Sequence, residues 1–233
     1  MIVILTGAGI NQESGISTFQ GSGGLWENER IEDVCTPGAF ARDPERVLNF
    51  YNQRRKQLLG AETRPNAAHY ALARLEKESP EPVLVITQNV DDLHERAGTR
   101  NLLHMHGELL KARCAGCGRV SPCTGDQSGS DVCESCGKAG RLRPHIVWSE
   151  ETPLYLDEIE QALESCRLFV SVGTSGNVYP AAGFVRAARA AGAATLELNL
   201  EESAGARAFH SGRYGRAGQI VPAWVDELLA GKS

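Results

Sequence analysis

The sequence lacks any long apolar run, has few aromatic residues and carries no excess of basic charge. No stretch of its 233 residues approaches the roughly 20 consecutive apolar residues that a membrane-spanning helix requires. Aromatic residues make up 6% of the chain, and the formal net charge is −5. Because proteins that bind nucleic acids or anionic membranes present clusters of basic residues, this composition argues against both kinds of partner. Lysine-rich protein segments suit an acidic chain better.

A secretion signal is lacking as well. Residues 1–6 contain neither a basic region nor a cleavage site, so we interpret them as the start of a strand and expect a cytoplasmic protein. The seven cysteines are an odd number, which also argues against a disulfide framework.

Short apolar runs alternate with helical patterns along most of the chain, which is typical of an α/β fold. Several of the runs are apolar throughout, as in parallel strands that helices cover on both faces. The pattern predicts a Rossmann-like, mostly parallel sheet. The predicted strands are residues 2–5, 83–87, 102–106, 168–172 and 195–200. The predicted helices are residues 44–59, 66–78, 155–165, 180–191 and 222–230.

Two segments interrupt the alternation. Residues 26–64 contain no convincing strand and are predicted to form a helical insert. Residues 113–141 are rich in Cys, Gly, Ser and Asp and have little to bury, so they require a cross-link other than a hydrophobic core.

A pair of Cys-x2-Cys motifs supplies that cross-link. Cys114 and Cys117 are separated by fifteen residues from Cys133 and Cys136, a spacing that suits tetrahedral Zn²⁺. Two unrelated cysteine pairs or a redox dithiol are the alternatives. Four thiolates leave the metal no open position, so we expect one structural zinc ion without a catalytic role.

Glycine and small polar residues follow several predicted strands. Gly7-Ala8-Gly9 comes directly after the first strand, where backbone N–H groups can approach a phosphate. This turn departs from the dehydrogenase fingerprint because its third glycine would fall on Gln12, and a plain tight turn is the alternative. Polar residues also follow the strands that end near residues 87, 172 and 198. Since ligands bind at the carboxyl ends of parallel strands, we expect one nucleotide-binding crevice.

Taken in order, these motifs resemble the sirtuin family over essentially the whole chain. The motifs are Gly7-Ala8-Gly9, Gln88-Asn89-Val90-Asp91, His106-Gly107, the two cysteine pairs and Gly173-Thr174-Ser175. The stretches RPHIVW at residues 143–148 and HMHGELLK at residues 104–111 are most similar to the compact bacterial branch.

The resemblance implies an NAD-dependent protein lysine deacylase that produces free lysine, nicotinamide and O-acyl-ADP-ribose. It implies that His106 is the general base, a role that suits an imidazole because its ordinary pKa is near working pH. His104 and His106 alternate on one face of a predicted strand, so periodicity alone leaves both as candidates.

The resemblance also assigns the NAD contacts. The turn and its flexible loop comprise Gly7, Ala8, Gly9, Ile10, Ser14, Gly15, Phe19, Gln20 and Trp26, with Phe19 shielding the reaction centre. Gln88, Asn89, Val90 and Asp91 line the nicotinamide and its ribose, with Asp91 meeting the carboxamide. Gly173, Thr174 and Ser175 reach the phosphates and ribose, while Asn199, Leu200, Glu201 and Ala217 surround the adenosine.

One face of the insert helix carries candidate residues for recognising the acyl group on the substrate lysine. Val47, Tyr51, Arg54 and Leu58 recur there at helical spacing. From the residues alone, Arg54 is either a surface arginine or the partner of a buried anion. The Tyr51-x2-Arg54 pair resembles that of sirtuins acting on succinyl- or malonyl-lysine, and the resemblance adds Cys35, Val147 and Val178 as substrate contacts.

The sequence departs from the family pattern at several of these positions. Asn11 replaces a serine, Gln20 an arginine and Cys35 an alanine. Ser149 and Glu150 replace a Phe-Gly pair on the segment that pairs with the substrate backbone. These changes affect the expected efficiency and substrate choice more than the reaction class.

The expected domains are an NAD-binding domain of residues 1–27, 65–111 and 142–233, and a small domain. The small domain would combine the helical insert, residues 28–64, with a zinc-ribbon module, residues 112–141. We expect a monomer that binds acyl-lysine proteins or peptides. The alternatives are a mono-ADP-ribosyltransferase on the same scaffold, a non-enzymatic zinc-ribbon protein that binds nucleic acid, and a nicotinamide-dependent oxidoreductase.

Overall fold

A computed structural model describes residues 1–16, 25, 26 and 29–231. The strands are β1 (Ile2–Thr6), β2 (Leu25–Trp26), β3 (Glu29–Arg30), β4 (Val83–Thr87), β5 (Leu102–His104), β6 (Gly107–Cys114), β7 (Val120–Pro122), β8 (Leu142–Ile146), β9 (Leu168–Val172), β10 (Ala194–Asn199) and β11 (Ser211–Tyr214). The helices are α1 (Ile31–Val34), α2 (Pro37–Arg42), α3 (Pro44–Leu59), α4 (Ala67–Glu78), α5 (Leu93–Ala97), α6 (Leu156–Ser165), α7 (Phe184–Ala190) and α8 (Ala217–Leu229).

Six of these strands form one parallel sheet in the order β11-β10-β9-β1-β4-β5. Every residue of β1, β4 and β9 is buried, as expected for strands covered on both faces. α4 and α8 pack on one face, and α6 and α7 pack on the other. The predicted α/β class with a parallel, Rossmann-like sheet is confirmed.

A second, three-stranded sheet has the order β7-β6-β8 and is antiparallel. Its residue Leu109 joins side chains of α1 and α3 and the aromatic ring of Trp148 in a separate core. The helical insert thus packs against the small sheet. The exact domain ranges stay a prediction.

Local sequence signals set the start of the two longest helices before α8. The Asp43 side chain accepts a hydrogen bond from the Arg46 N–H at the start of α3, and Pro44 follows as the first helical residue. Asn66 caps α4, and the ring of His69 accepts the Asn66 N–H in a reciprocal capping box.

Several bounds differ from the sequence-based expectation. The strand predicted over residues 102–106 ends at His104, so His106 lies in the turn before β6 rather than on the face of a strand. The last helix begins at Ala217 and holds Pro222 in its interior. The sequence predicts that this helix begins at Pro222, because proline is common at the first position of a helix. β11 and the small sheet were not predicted, because their residues show no apolar alternation. Within the described ranges, no helix has both the length and the apolar character needed to cross a membrane.

Candidate functional site

The candidate site lies at the point in the main sheet where the direction of strand addition reverses. From β1 the chain adds β4 and β5 on one side of the sheet, and later β9, β10 and β11 on the other. In open α/β sheets, ligands bind at the carboxyl ends of the two strands that flank this point, here β1 and β9.

Glycine residues let the loops after β1 and β9 pack against each other. The Gly7 N–H donates to the Val172 carbonyl at 3.0 Å, and the Gly9 N–H donates to the Gly173 carbonyl at 2.9 Å. A Cβ atom on Gly9 would lie only 2.7 Å from the Gly173 Cα. Gly173 itself has a φ of +63°, in the left-handed region that favours glycine. The result is a backbone cradle in which side chains at these positions would occupy the space of a ligand or of the opposite loop.

The residues after this turn are held by their own contacts. A short 3₁₀ helix covers Ala8–Asn11, and the Ile10 side chain is fully buried in the sheet core. The Ser14 hydroxyl accepts a hydrogen bond from Asn66 Nδ2 at 2.8 Å. Gly15 has a φ of +75° and packs against the Glu62 carbonyl. Phe19, Gln20 and the side chain of Trp26 lie outside the described part of the chain.

The loop after β4 is fastened to the glycine turn. Asn89 Nδ2 donates to the Gly7 carbonyl at 3.2 Å, and the Asn89 N–H donates to Thr87 Oγ1 at 3.1 Å. Asp91 is 8% exposed, and its carboxylate accepts hydrogen bonds from the Leu93 N–H and from Asn11 Nδ2. Burial raises the pKa of Asp91, and these two donors offset part of that effect. The structure therefore brings Gly7, Asn89 and Asp91 to one edge of the crevice.

Two histidines bind successive carbonyl groups of this loop. His106 Nδ1 lies 3.0 Å from the Gln88 carbonyl oxygen, and His104 Nδ1 lies 3.3 Å from that of Asn89. Because a carbonyl oxygen can only accept, both Nδ1 atoms carry the proton. A neutral His106 therefore has its lone pair on Nε2, which bonds to no residue in the described ranges.

His104 differs in its second nitrogen. Its Nε2 lies 2.7 Å from Glu95 Oε1, so both ring nitrogens face acceptors, an arrangement that favours the protonated ring. Burial lowers the pKa of His104, but the Glu95 and Glu108 carboxylates and the Asn89 carbonyl together outweigh it, and the net shift is upward. Burial also lowers the pKa of His106, and there the Gln88 carbonyl offsets it only in part. Of the two, only His106 presents an unprotonated nitrogen.

The loop after β9 forms the opposite wall. Thr174 Oγ1 lies 2.7 Å from Ser171 Oγ, and the Thr174 carbonyl accepts from Asn199 Nδ2 at 2.8 Å. Ser175 and Val178 line a small cavity together with Gln88, so the loops after β4 and β9 meet there.

The remaining predicted contacts lie further along this edge. Leu200 and Glu201 are exposed at the carboxyl end of β10, and Ala217 begins α8. The Gly218 N–H in α8 donates to the Glu13 carboxylate at 2.8 Å, which joins this helix to the segment after the glycine turn.

Of the predicted acyl contacts, Val147 bonds to His106, while Tyr51 and Cys35 contact each other beside Trp148. The Val147 N–H donates to the His106 carbonyl at 2.9 Å, and Tyr51 is fully buried on α3. The Tyr51 hydroxyl accepts from Trp148 Nε1 at 2.9 Å and lies 3.3 Å from Cys35 Sγ. Burial raises the pKa of the Cys35 thiol to about 11, against a smaller opposite effect of Tyr51, so the thiol stays protonated.

Arg54 lies one helical turn from Tyr51. Its guanidinium carbon is 4.9 Å from the centre of the Phe50 ring. Its Nε is buried and has no hydrogen-bond partner among the described residues. An unpaired guanidinium N–H in such a place is costly, and an anionic group would satisfy it.

Two departures from the family pattern also lie here. The Ser149 N–H donates to the Cys35 carbonyl at 3.0 Å, which ties the segment after β8 to the end of α1. Glu150 is exposed and has a φ of +76°, a left-handed conformation that glycine adopts without strain.

The four predicted zinc ligands come together at the far end of the small sheet. The Sγ atoms of Cys114 and Cys136 are 3.7 Å apart, those of Cys117 and Cys133 are 3.8 Å apart, and all four lie within 4.8 Å of one another. Thiolates bound tetrahedrally at about 2.3 Å would be separated by about 3.8 Å. The cluster thus fits a structural zinc ion. Cys123 Sγ contacts the Gly125 carbonyl instead.

The Sir2 family model, which describes this family's conserved region, matches residues 7–180. The chain belongs to the Sir2 family.

Relatives and solved structures agree over nearly the full length. The chain is 60% identical to the NAD-dependent protein deacylase SIR2rp3 of Trypanosoma brucei brucei, covering 100% of this chain and 96% of that protein. It is 56% identical to an NAD-dependent protein deacylase of Vibrio vulnificus, covering 98% and 94%. A solved Sir2 homologue in complex with NAD matches with a TM-score of 0.89 and 37% identity, covering 100% of this chain and 90% of that chain. A Sir2 protein bound to an acetylated peptide matches with a TM-score of 0.83 and 27% identity, covering 100% and 94%.

Sequence reasoning missed two polar residues beneath the Sir2 crevice. In the sequence, Asn11 is notable only as a departure from the family pattern, and His69 belongs to none of the motifs. In the structure Asn11 Nδ2 lies 2.7 Å from Asp91 Oδ2, and His69 Nε2 lies 3.2 Å from Asn11 Oδ1. Only the distance between the glycine turn, α4 and the loop after β4 reveals this link.

The cysteine cluster predicts which cysteine substitutions abolish zinc binding and which do not. We expect about one zinc ion per chain in the wild type and in Cys123→Ser, and little or none in Cys133→Ser. Because structural zinc contributes on the order of 10 kcal/mol in small zinc peptides, Cys133→Ser should also lower the Tm by several degrees or more. Elemental analysis and thermal unfolding measure both effects. Full zinc content in Cys133→Ser, or loss of zinc in Cys123→Ser, would contradict this ligand set.

Proposed function

We propose that this chain is an NAD-dependent protein lysine deacylase that releases free lysine, nicotinamide and O-acyl-ADP-ribose. The observation that carries the proposal is the arrangement of His106 beside the glycine crevice, with Nδ1–H donating to the Gln88 carbonyl and Nε2 without a partner among the described residues. The relatives, which are named as NAD-dependent protein deacylases, support the same activity. The net charge of −5 suits lysine-rich protein substrates.

The crevice fits a dinucleotide, because glycine backbone forms its walls at the point where the direction of strand addition reverses. In this proposal Gly7, Ala8, Gly9, Gly173, Thr174 and Ser175 hold the phosphates and the adjacent ribose. Asn89 and Asp91 hold the nicotinamide, and Asn199, Leu200, Glu201 and Ala217 hold the adenosine. When bound, NAD supplies the ADP-ribose group that accepts the acyl group and the nicotinamide that leaves.

His106 acts as the general base through Nε2. Its Nδ1–H donates to the Gln88 carbonyl throughout, so the ring is held in one tautomer and one orientation. When Nε2 takes a proton, the ring becomes cationic and its bond to the carbonyl becomes charge-assisted, which stabilises that state. Since burial lowers the pKa of His106, the ring is neutral and ready to accept a proton at neutral pH.

The acyl group extends toward Tyr51 and Arg54. Tyr51 is fully buried, with its hydroxyl between Trp148 Nε1 and Cys35 Sγ, and Arg54 Nε lacks a partner in the described chain. A distal carboxylate would give the Arg54 N–H a charge-assisted hydrogen bond, which an acetyl group cannot do because it carries no charge. We therefore propose activity on succinyl- or malonyl-lysine as well as on acetyl-lysine.

Replacing the proposed base gives the first test of this function. His106→Tyr should lower kcat on an acetyl-lysine peptide by about 100-fold or more, the usual contribution of a general base. The exposed His210→Gln is a matched control and should change kcat by less than about threefold. Unchanged turnover in His106→Tyr would remove this residue from the mechanism.

The pH profile tests the same assignment. The base works only while neutral, and its pKa lies below the ordinary 6.5, so the acid limb of the wild-type profile should have its midpoint below pH 6.5. The readout is kcat/KM measured between pH 5 and 8, which reports the pKa of the free enzyme. An acid limb with a midpoint above 6.5 would speak for another group.

The acyl preference requires its own variant. Arg54→Met should lower kcat/KM on a succinyl-lysine peptide by about 10- to 100-fold, because it removes a charge-assisted hydrogen bond. The acetyl-lysine value should change by less than about threefold. Lys56→Met, an exposed position on the same helix, is the control. An equal loss on both peptides with Arg54→Met would refute the role in acidic-acyl binding.

A further inference from the structure

A chain of buried hydrogen bonds runs beneath the crevice from α4 to the loop after β4. His69 Nε2 lies 3.2 Å from Asn11 Oδ1, and Asn11 Nδ2 lies 2.7 Å from Asp91 Oδ2. His69 is 0% exposed, Asn11 4% and Asp91 8%. These side chains belong to three separate elements, which the chain of bonds connects.

The direction of each hydrogen bond follows from the start of α4. His69 Nδ1 accepts the Asn66 N–H, so that nitrogen is unprotonated. Burial lowers the pKa of His69 to about 4, so the ring is neutral near pH 7 and its single proton is on Nε2. Nε2–H therefore donates to Asn11 Oδ1. This fixes the amide of Asn11, whose Nδ2–H must donate to Asp91.

Two donors hold the Asp91 carboxylate, one from the backbone and one from a side chain. The Leu93 N–H donates at 3.0 Å, and Asn11 Nδ2 donates at 2.7 Å. Of the charged groups around it, a protonated His104 favours the ionised form of Asp91 and Asp92 opposes it. His94 is buried with a lowered pKa and adds no charge at neutral pH.

We propose that Asn11 is a positioning residue that holds the Asp91 carboxylate in one orientation to accept the carboxamide N–H of nicotinamide. This rests on the proposed function, in which Asp91 binds that carboxamide. Asn11 touches no part of the cofactor itself in this scheme. It acts through Asp91, and His69 acts through Asn11.

The proposal separates two parts of the cofactor. Nicotinamide binding depends on Asp91, whereas the ADP-ribose part depends on the glycine turn and the loop after β9. Loss of the Asn11 bond should therefore weaken nicotinamide and leave ADP-ribose unaffected. A merely structural role for Asn11 would weaken both together.

The experiment compares Asn11→Ala with the wild type in an acetyl-lysine peptide assay with NAD. The nicotinamide inhibition constant should rise about tenfold, as expected for loss of a hydrogen bond to a charged group, while the ADP-ribose Kd from calorimetry should change by less than about twofold. Asn52→Ala removes another buried amide, which bonds to Gln127 and Arg55 away from the crevice. This control should lower the Tm without changing the ratio of the two constants.

A second variant keeps the shape of the side chain, and its nicotinamide inhibition should depend on pH in the opposite direction to that of Asn11→Ala. Asn11→Asp places a carboxyl beside Asp91, and two carboxylates at this distance share one proton. The shared proton restores the bond to Asp91, so nicotinamide inhibition should be strong at low pH and weaken as pH rises. In Asn11→Ala the pKa of Asp91 rises further, so inhibition should instead weaken as pH falls.

The outcomes are distinct. A selective rise in the nicotinamide constant, with opposite pH trends in the two variants, supports the proposal. Equal weakening of nicotinamide and ADP-ribose, no change in either, or the same pH trend in both variants overturns it. If Asn11→Ala does not fold, the pH trend of Asn11→Asp decides alone. A wild type that binds ADP-ribose but never consumes NAD with the peptide would instead reject the proposed function, and this inference with it.

Discussion

The contact between the loop after β1 and the loop after β9 is the constraint on which the site depends. The chain leaves β1 and β9 toward opposite sides of the sheet, which creates a crevice between these two parallel strands. Only glycine lets the loops after them approach to within hydrogen-bonding distance, as in the 2.9 Å bond from the Gly9 N–H to the Gly173 carbonyl. Asn89 then bonds to the Gly7 carbonyl, which brings the third loop to the same edge. The loops that carry Gln88, Asn89 and Thr174 therefore meet at this junction.

Two adjacent carbonyl groups give two similar histidines different chemistry. Both rings are held through Nδ1, on Gln88 and Asn89, but His104 Nε2 also faces Glu95, which raises the pKa of His104, while His106 keeps a lone pair. A protonated His104 favours the ionised form of Asp91, and a neutral His106 is available for proton transfer. His104, whose two ring nitrogens both have partners, thus helps to hold the loop after β4, to which His106 also bonds. The Glu95 carboxylate is what makes the two histidines different.

Much of the fold could be predicted from the sequence, because buried parallel strands and amphipathic helices leave clear periodic patterns. The helix over residues 44–59 and the strands over 83–87 and 168–172 were predicted with their observed bounds. Cysteine spacing indicated the zinc cluster, since the metal itself sets that spacing. β11 is four residues long and polar, and so left no such pattern. The resemblance alone selected His106 over His104, because the contact with Glu95 that distinguishes them in the structure leaves no local pattern. The link from Asn11 to Asp91 likewise required tertiary distances.

The central claim is that the crevice and His106 transfer the acyl group of a modified lysine to the ADP-ribose part of NAD. Mass spectrometry of the products from an acetyl-lysine peptide and NAD tests this most directly. The account predicts free-lysine peptide, nicotinamide and O-acetyl-ADP-ribose in equal amounts. Release of nicotinamide with ADP-ribose attached to a peptide whose lysine is still acetylated would contradict it, and would identify an ADP-ribosyltransferase on the same scaffold.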